Sequence, residues 1–361
     1  MSERSPRASQ HAVLNRAERT LWLPGCFGMA RILGPSYRLR SVVFHNISAT
    51  DSPFTKNLGV SITPRHFEAA LKFLTRYYSP VRLQDVLADS DGRGLPARAI
   101  LVTFDDDYAS MTEWAAPLCR KFKVPAIFFI NAAFLDNHRL APDNLVCYVT
   151  NMLGMEPINA AARAAKGADV PRLTSLPEVF DRFFPAISLR EREVFFDALI
   201  HLAGISERQL AGEAALYLTR QQVSDLASGD FEIGNHTYTH VHCRSLTPEV
   251  FGQEIDRNKA ELEAISGSKV QSFSLPYGSW ANSAPDLIGH LQFSGHRAAF
   301  LSESVSNPGG ADPFHLDRVS IHGNSDNSLF FEIEVLPRLR AVRNRLFRAA
   351  PPDPQRGQAP V

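Results

Sequence analysis

Ile100-Leu101-Val102-Thr103-Phe104-Asp105-Asp106-Asp107-Tyr108 is the stretch on which both the fold and the chemistry of this chain turn. A run of apolar and β-branched residues gives way at once to three carboxylates. Acidic residues are depleted in strands, and three adjacent like charges repel one another unless a cation or a proton lowers the cost. Parallel α/β sheets and barrels keep their chemistry at the carboxyl ends of their strands. The stretch therefore predicts a buried strand that ends at a cation site.

Working outward, the chain keeps a β/α rhythm on both sides of that strand. Val42-Val43-Phe44-His45 reads as a short strand, and Thr63-Pro64 opens a helix with Thr63 as its N-cap, striped by Phe67, Leu71 and Leu74. A second short helix is predicted over 83–87. After the acidic stretch come an amphipathic segment over 110–121 and the apolar run Ala126-Ile127-Phe128-Phe129-Ile130. Strand, helix and strand at this spacing indicate parallel β/α units. Residues 137–218 break the rhythm: they are Ala-rich, helical in period and without strand alternation, and read as a helical insertion between 41–136 and 219–335. The rhythm resumes with a helix over 219–227, a strand Phe231-Glu232-Ile233, a helix over 247–266 bounded by Pro248 and Gly267, and strands near 272–274, 298–301 and 319–322. Residues 1–40 form a polar N-terminal extension. The tail, 336–361, carries Arg338, Arg340, Arg343, Arg345 and Arg348. It is expected to be a closing helix packed on the barrel, with peripheral membrane contact through its basic face as the alternative.

With 38 basic and 38 acidic residues among 361, the chain has no net charge with which to favour nucleic acid as a partner. Cys26, Cys119, Cys147 and Cys243 are scattered and form no C-x-x-C pair, which argues against a disulfide frame or a zinc knuckle. The most apolar N-terminal stretch, 21–33, is interrupted by Pro24, Gly25, Gly28 and Arg31, so neither a signal h-region nor a membrane span is expected and the cytoplasm is the default compartment.

A second constellation follows the strand at 231–233. In Gly234-Asn235-His236-Thr237-Tyr238-Thr239-His240, Gly234 reads as a turn, and two histidines at i and i+4 are expected on one face of a helical turn, where both can reach one metal. Thr237 stands where a zincin would need its glutamate, so a base and a third ligand must come from elsewhere. The carboxylates at 105–107 can supply both.

Together these residues resemble the NodB-homology polysaccharide deacetylases, carbohydrate esterase family 4. Thr103 to Tyr108 matches the family's Thr-Phe-Asp-Asp-Gly-Tyr except that Asp107 replaces glycine. His236 to His240 matches His-[Ser/Thr]-x-x-His, and Pro276-Tyr277 matches the end of a third motif. The resemblance covers roughly 41–330 without the insertion. It implies a distorted, partly open (β/α) barrel, with 41–136 and 219–335 as its two halves. It also implies a divalent metal, zinc above all, on Asp106, His236 and His240. Asp105 would be the general base toward the attacking water, and the Tyr277 backbone N–H would hold the oxyanion. The family's general acid is a late-strand histidine, which Val319-Ser320-Ile321-His322 provides; alternation puts Arg318, Ser320 and His322 on one strand face.

Three departures from the family pattern stand out. Ser274 occupies the place of an arginine that pairs with the catalytic aspartate, and Arg318 is the candidate replacement. The Asp-containing fourth motif has no counterpart, although Asp312 and Asp317 flank its region. Asp107 adds a charge where glycine is usual, in a left-handed position that Asp tolerates. His45 either lines the same barrel mouth or is a buried structural residue. The expected function is metal-dependent removal of acetyl groups from a polysaccharide or oligosaccharide, with N-acetyl of GlcNAc-type residues favoured. The alternatives are hydrolysis of small or cyclic amides on the same scaffold, and a catalytically silent glycan-binding protein.

Overall fold

The computed structural model describes residues 39–89, 94–229, 231–279, 283, 286–305, 307 and 310–347. The arm over 1–38, with Cys26, and the tail beyond 347 lie outside the described residues. The centre is a parallel sheet. Its strands are β1 (Leu39–Phe44), β4 (Ser79–Pro80), β5 (Ala99–Phe104), β6 (Ile127–Ile130), β7 (Glu232–Asn235), β8 (Ser272–Ser274), β9 (Ala298–Leu301), β10 (Leu316–Asp317) and β11 (Val319–Ser320). A separate two-stranded pair, β2 (Asn46–Ile47) with β3 (Ser61–Ile62), sits beyond the end of β1. In the main sheet the order runs β10-β9-β8-β7-β6-β5-β1-β11, with β4 also on β5.

The two ends of that order are consecutive in the chain. Leu316 and Asp317 pair with β9, Val319 and Ser320 pair with β1, and only Arg318 separates them. One interrupted segment thus bridges the sheet's two edges and nearly closes it into the (β/α) barrel expected from the sequence. Closure removes exposed edges.

Alternation along β5 explains why its sequence is apolar throughout. Ile100, Val102 and Phe104 pack in one cluster with Phe67, Leu71 and Leu74 of helix α1 (Pro64–Tyr77), while Ala99 and Leu101 pack with Ile127, Phe129, Ala298, Phe300 and Leu316 in another. A strand covered on both faces loses its polar alternation. The cap of α1 is as predicted: the Thr63 hydroxyl accepts the His66 N–H at 3.2 Å. Helix α2 (Leu83–Ala88) follows β4, and the segment at 110–121 forms a helix whose first turn, Met111–Ala115, is a π turn before α3 (Ala116–Phe122).

Within 137–218 the structure has helices α4 (Pro142–Leu153), α5 (Glu156–Lys166), α6 (Leu189–Ala203) and α7 (Glu207–Ala214), which share a cluster of their own. That cluster also takes in Phe54, Tyr108 and Phe134 from outside the segment. Its C-terminal end is tied to the loop after the acidic stretch: Leu218 N–H donates to the Asp107 carbonyl at 2.9 Å and Ala109 N–H to the Leu216 carbonyl at 2.7 Å.

Two local expectations are corrected. Gly234 is not a turn; it lies inside β7, where an ideal Cβ would fall 2.3 Å from the Phe129 ring. Glycine is needed there for close packing inside the barrel. The last strand is also shorter than 319–322, since β11 ends at Ser320. The beginning of the closing helix, Leu336–Phe347, is tied to the barrel by Arg340, which donates to the Glu303 carbonyl at 2.8 Å. Among the described residues no helix is long and apolar enough to cross a membrane.

Phe104 stacks on Phe128 at 4.8 Å between centroids and on Phe44 at 5.6 Å. Phe104→Ala should cost about 3–5 kcal/mol in urea unfolding, whereas Phe293→Ala, at 90% exposure, should stay within about 0.5 kcal/mol. A loss at Phe104 no larger than that at Phe293 would contradict this account of the core.

Candidate active site

Six strand ends deliver the residues of one cavity of about 330 Å³. His45 follows β1, Asp105 to Asp107 follow β5, His236 follows β7, Tyr277 follows β8, Ser302 follows β9 and His322 lies just beyond β11. The three carboxylates face three different environments, and this resolves their mutual repulsion.

Asp105 is 3% exposed and meets Arg318, which is 0% exposed, in a two-pronged ion pair: Nη1 to Oδ1 at 2.7 Å and Nη2 to Oδ2 at 2.7 Å. Ser274, which stands where the family's arginine is usual, also serves this carboxylate: its hydroxyl donates to Asp105 Oδ2 at 3.1 Å and accepts from Arg318 Nη2 at 2.7 Å. Burial by itself would raise the Asp105 carboxyl. The Arg318 charge, with His236 adding to it, outweighs burial and holds the group below the usual carboxylate range.

Asp106 is the one carboxylate of the three that is partly open, and both histidines turn toward it. His236 Nε2 lies 3.3 Å and His240 Nε2 3.4 Å from Asp106 Oδ1. Burial opposes ionisation here too, but the hydrogen bond from His236 and the charge of His240 win, and the carboxyl is lowered. Asp107 is fully buried at φ 43°. Its Oδ1 accepts the Asn131 N–H at 3.3 Å, and its Oδ2 has no hydrogen-bond partner. Burial, then the Asp106 charge, push this carboxyl well above its ordinary value. One carboxylate is paired, one faces two imidazoles, and the third is driven toward its neutral form.

The expectation that His236 and His240 share a helical turn is overturned. Residues 236–240 form a loop in which Thr237 (φ 63°) and His240 (φ 50°) are left-handed. Side chains capture the backbone groups that a helix would have used. Asn235 accepts the Thr237 N–H at 3.0 Å, Glu254 accepts the Thr239 N–H at 2.8 Å, and Asn131 donates to the carbonyls of His236 and Thr237. The i, i+4 spacing nonetheless converges, because the loop folds back over the mouth of β7.

Donor atoms of Asp106, His236 and His240 lie within 4.8 Å of one another. The set fits a divalent cation for a reason beyond proximity. His236 Nδ1 faces the Ser274 carbonyl at 2.8 Å, and His240 Nδ1 faces Asp143 Oδ2 at 3.3 Å. Each partner accepts, so each Nδ1 carries a proton; once Nε2 gives up the proton it directs at Asp106, its lone pair is free for a cation shared with that carboxylate.

The other sequence candidates are placed as follows. Tyr277, at φ 60°, lines the cavity, and its hydroxyl donates to Asp143 Oδ1 at 2.8 Å. His322 and Ser320 line the cavity with it; His322 is exposed, and its N–H is held by Glu332 at 3.2 Å. His45 is half-buried at the same mouth, and burial pushes its imidazole down. Asp312 caps a short turn at Pro313–His315, away from the cavity lining, and Asp317 accepts the Glu303 N–H at 2.6 Å and that of Val305. Sequence reasoning missed Asp143 and Arg192. Asp143 reads as an ordinary first-turn acid and Arg192 as an ordinary helix cation, so no local signal marks either.

The model of the polysaccharide deacetylase family matches residues 92–295. The chain belongs to the polysaccharide deacetylase family. A curated relative of this chain, the uncharacterized protein YlxY of Bacillus subtilis (strain 168), is 29% identical over 72 residues, which are 20% of this chain and 23% of that protein; the match thus spans about a quarter of the relative's length. Among solved structures, the Streptococcus pyogenes deacetylase PplD in complex with acetate superposes with a TM-score of 0.54 at 14% identity, over 82% of this chain and 98% of that one. IcaB from Ammonifex degensii gives 0.51 at 19% identity, over 81% and 95%. At such identities the likeness speaks to the fold. The deacetylase barrel is thus shared, while the residues that fill its mouth must be argued from this chain.

Arg318→Met should destabilise the protein by about 3–5 kcal/mol, because it leaves Asp105 buried without its cation. The sign with pH follows from the lowered carboxyl. In the parent, the pair's stabilisation is present above the ordinary carboxylate value and is lost as pH falls through the depressed one. Denaturation followed from pH 7 down through and below the ordinary carboxylate range should show that loss in the parent and not in Arg318→Met. Parallel curves would sink the assignment.

Proposed function

We propose that this chain is a divalent-metal-dependent hydrolase that removes acetyl groups from a polysaccharide or oligosaccharide, N-acetyl groups of GlcNAc-type residues above all. The observation that carries the proposal is the Asp106, His236 and His240 donor set beside a buried, arginine-paired carboxylate, at the strand ends of a deacetylase barrel. A divalent cation on that set, zinc in our reading, supplies a Lewis acid that polarises the acetyl carbonyl and makes water acidic enough to attack near neutral pH.

In this reading Asp105 takes the proton of the attacking water. Arg318 and Ser274 keep Asp105 ionised and aimed, since a guanidinium fork and a hydroxyl fix both carboxylate oxygens. The N–H of Tyr277 is the donor to the developing oxyanion. His322, at the open side of the cavity, gives a proton to the departing nitrogen. An amine leaving group needs that proton far more than a sugar alkoxide does, which is why the N-acetyl substrate is favoured. The cavity wall sets Leu58, Val60, Phe134, Phe180 and Leu275 among a larger number of polar and charged side chains, a mixed lining that offers an acetamido sugar both apolar contact for its methyl and hydrogen bonds for its hydroxyls.

Purified protein should contain a divalent metal and release acetate from N-acetylated oligosaccharides. A chelator should abolish release and zinc should restore it. Asp105→Asn should lower kcat by about 10²–10⁴-fold. Release from O-acetylated oligosaccharides or small amides alone would reassign the substrate, and unchanged release from Asp105→Asn would overturn the mechanism.

A further inference from the structure

The two histidines of the proposed metal site are held differently. His236 has its Nδ1 partner within the barrel, the carbonyl of Ser274 at the end of β8. His240 sits in the left-handed region at the far end of an irregular loop, a conformation that costs a non-glycine residue about 1–3 kcal/mol unless its surroundings impose it. Both side chains that grip it belong to the helices between the barrel halves. Asp143, in the first turn of α4, meets the ring at Nδ1, and Arg192 of α6 donates from Nη2 to the His240 carbonyl at 3.2 Å.

We infer that the helical segment 137–218 is a working part of the metal site, with Asp143 as the positioning residue that sets the ring orientation and tautomer of His240, and Arg192 as the clamp on its main chain. The inference rests on the metal-dependent reading above.

Asp143 is itself fixed. Its Oδ1 accepts the Tyr277 hydroxyl at 2.8 Å, which leaves Oδ2 aimed at the imidazole. The neighbouring Asn144 anchors α4 by donating to the Phe54 carbonyl at 3.0 Å and to the Tyr108 hydroxyl at 3.0 Å, while the Tyr217 hydroxyl donates to its Oδ1 at 2.7 Å. Tyr108 directly follows the three carboxylates. The helix that carries Asp143 is therefore registered against the same loop that carries Asp105 and Asp106. Arg192 is likewise held over the Phe184 and Phe196 rings, each at 5.8 Å. A carboxylate can only accept from Nδ1–H, so the neutral ring that it selects presents its lone pair at Nε2. Carboxylate–histidine–metal relays of this kind change metal affinity about 10–100-fold when the carboxylate is removed.

A bland account is available: an acid in a first helical turn is favoured by the helix dipole whatever lies nearby, and its bond to Tyr277 is packing. Metal affinity separates the two. Zinc dissociation constants of the full chain, stripped and titrated against a chromophoric chelator, are to be measured for the parent, Asp143→Ala, Asp143→Asn and Arg192→Met, alongside melting of each metal-free protein. Asp143→Ala should bind zinc about 10–100-fold more weakly. Asp143→Asn, whose amide oxygen can still accept from Nδ1–H, should lose less. Arg192→Met, which keeps the apolar stem over the two rings, should also weaken binding. Imidazole nitrogen NMR should show Nδ1–H at His240 in the parent and its loss in Asp143→Ala. If Asp143→Ala fails to fold, folded Asp143→Asn and Arg192→Met carry the test. Folded variants that bind zinc as tightly as the parent would overturn the inference and leave the metal-dependent reading standing. A parent that binds no zinc would overturn both.

Discussion

The buried pair of Arg318 and Asp105 is the interaction on which both the closure of this barrel and the character of its mouth depend. Arg318 is the single residue between β10 and β11, at the point where the last segment leaves β9 for β1. Its guanidinium is fully used: Nε donates to the Leu301 carbonyl, Nη1 to Thr103 and Asp105, and Nη2 to Asp105, Ser274 and Ser302. One side chain thus joins the ends of β5, β8 and β9 from a fourth position, between β10 and β11. Stripping two ions of water costs several kcal/mol each, and only complete hydrogen bonding offsets it. That condition is met here, and arginine is the side chain able to meet it, since lysine has neither the fork nor the donors. The Phe129 and Phe300 rings, 5.4 and 5.8 Å from the guanidinium carbon, form the dry floor that keeps water from competing.

The same pair explains how three adjacent aspartates coexist. A strand that ends in like charges is stable only if each charge is met separately, and successive residues leaving a strand point in different directions. Asp105 continues the inward face of Ala99, Leu101 and Thr103 and so meets the arginine. Asp106 and Asp107 are both left-handed, at φ 75° and φ 43°, which turns the first toward the imidazoles and the second into the protein. Asp107 needs no cation because burial drives it toward the neutral form. Glycine would satisfy the backbone equally well, and what the carboxyl adds is an acceptor for the buried Asn131 N–H.

The barrel and the pairing of its acidic strand end with two histidines were legible in the sequence because each leaves a periodic or chemical mark: apolar runs with acidic ends, a threonine–proline helix start at Thr63 and Pro64, histidines at a fixed spacing. The local geometry of the histidines was not legible. An i, i+4 spacing implies a helical turn only if the backbone bonds to itself, and here Asn131 and Glu254 take those groups from farther along the chain and Asn235 from two residues away. Gly234 misled for a related reason: its role is set by the Phe129 ring on the neighbouring strand, not by the turn chemistry of its own segment. Asp143 and Arg192 were invisible because their partners lie across the chain, about a hundred and about fifty residues away.

The exchange between Ser274 and Arg318 shows why a motif can be missing while its function is retained. In a closed barrel all inward side chains share one small interior, so a carboxylate at the end of β5 can be reached from β8 or from the closing segment with similar geometry. A serine at 274 leaves room for the guanidinium to arrive from 318, and its hydroxyl then bridges the two partners instead of supplying the charge. The constraint acts on the position of the cation in space, not on its place in the chain. Alternation along 318–322 already put Arg318 on an inward face. What the sequence left out was that this segment closes the barrel, and closure is what brings residue 318 to within hydrogen-bonding distance of residue 105.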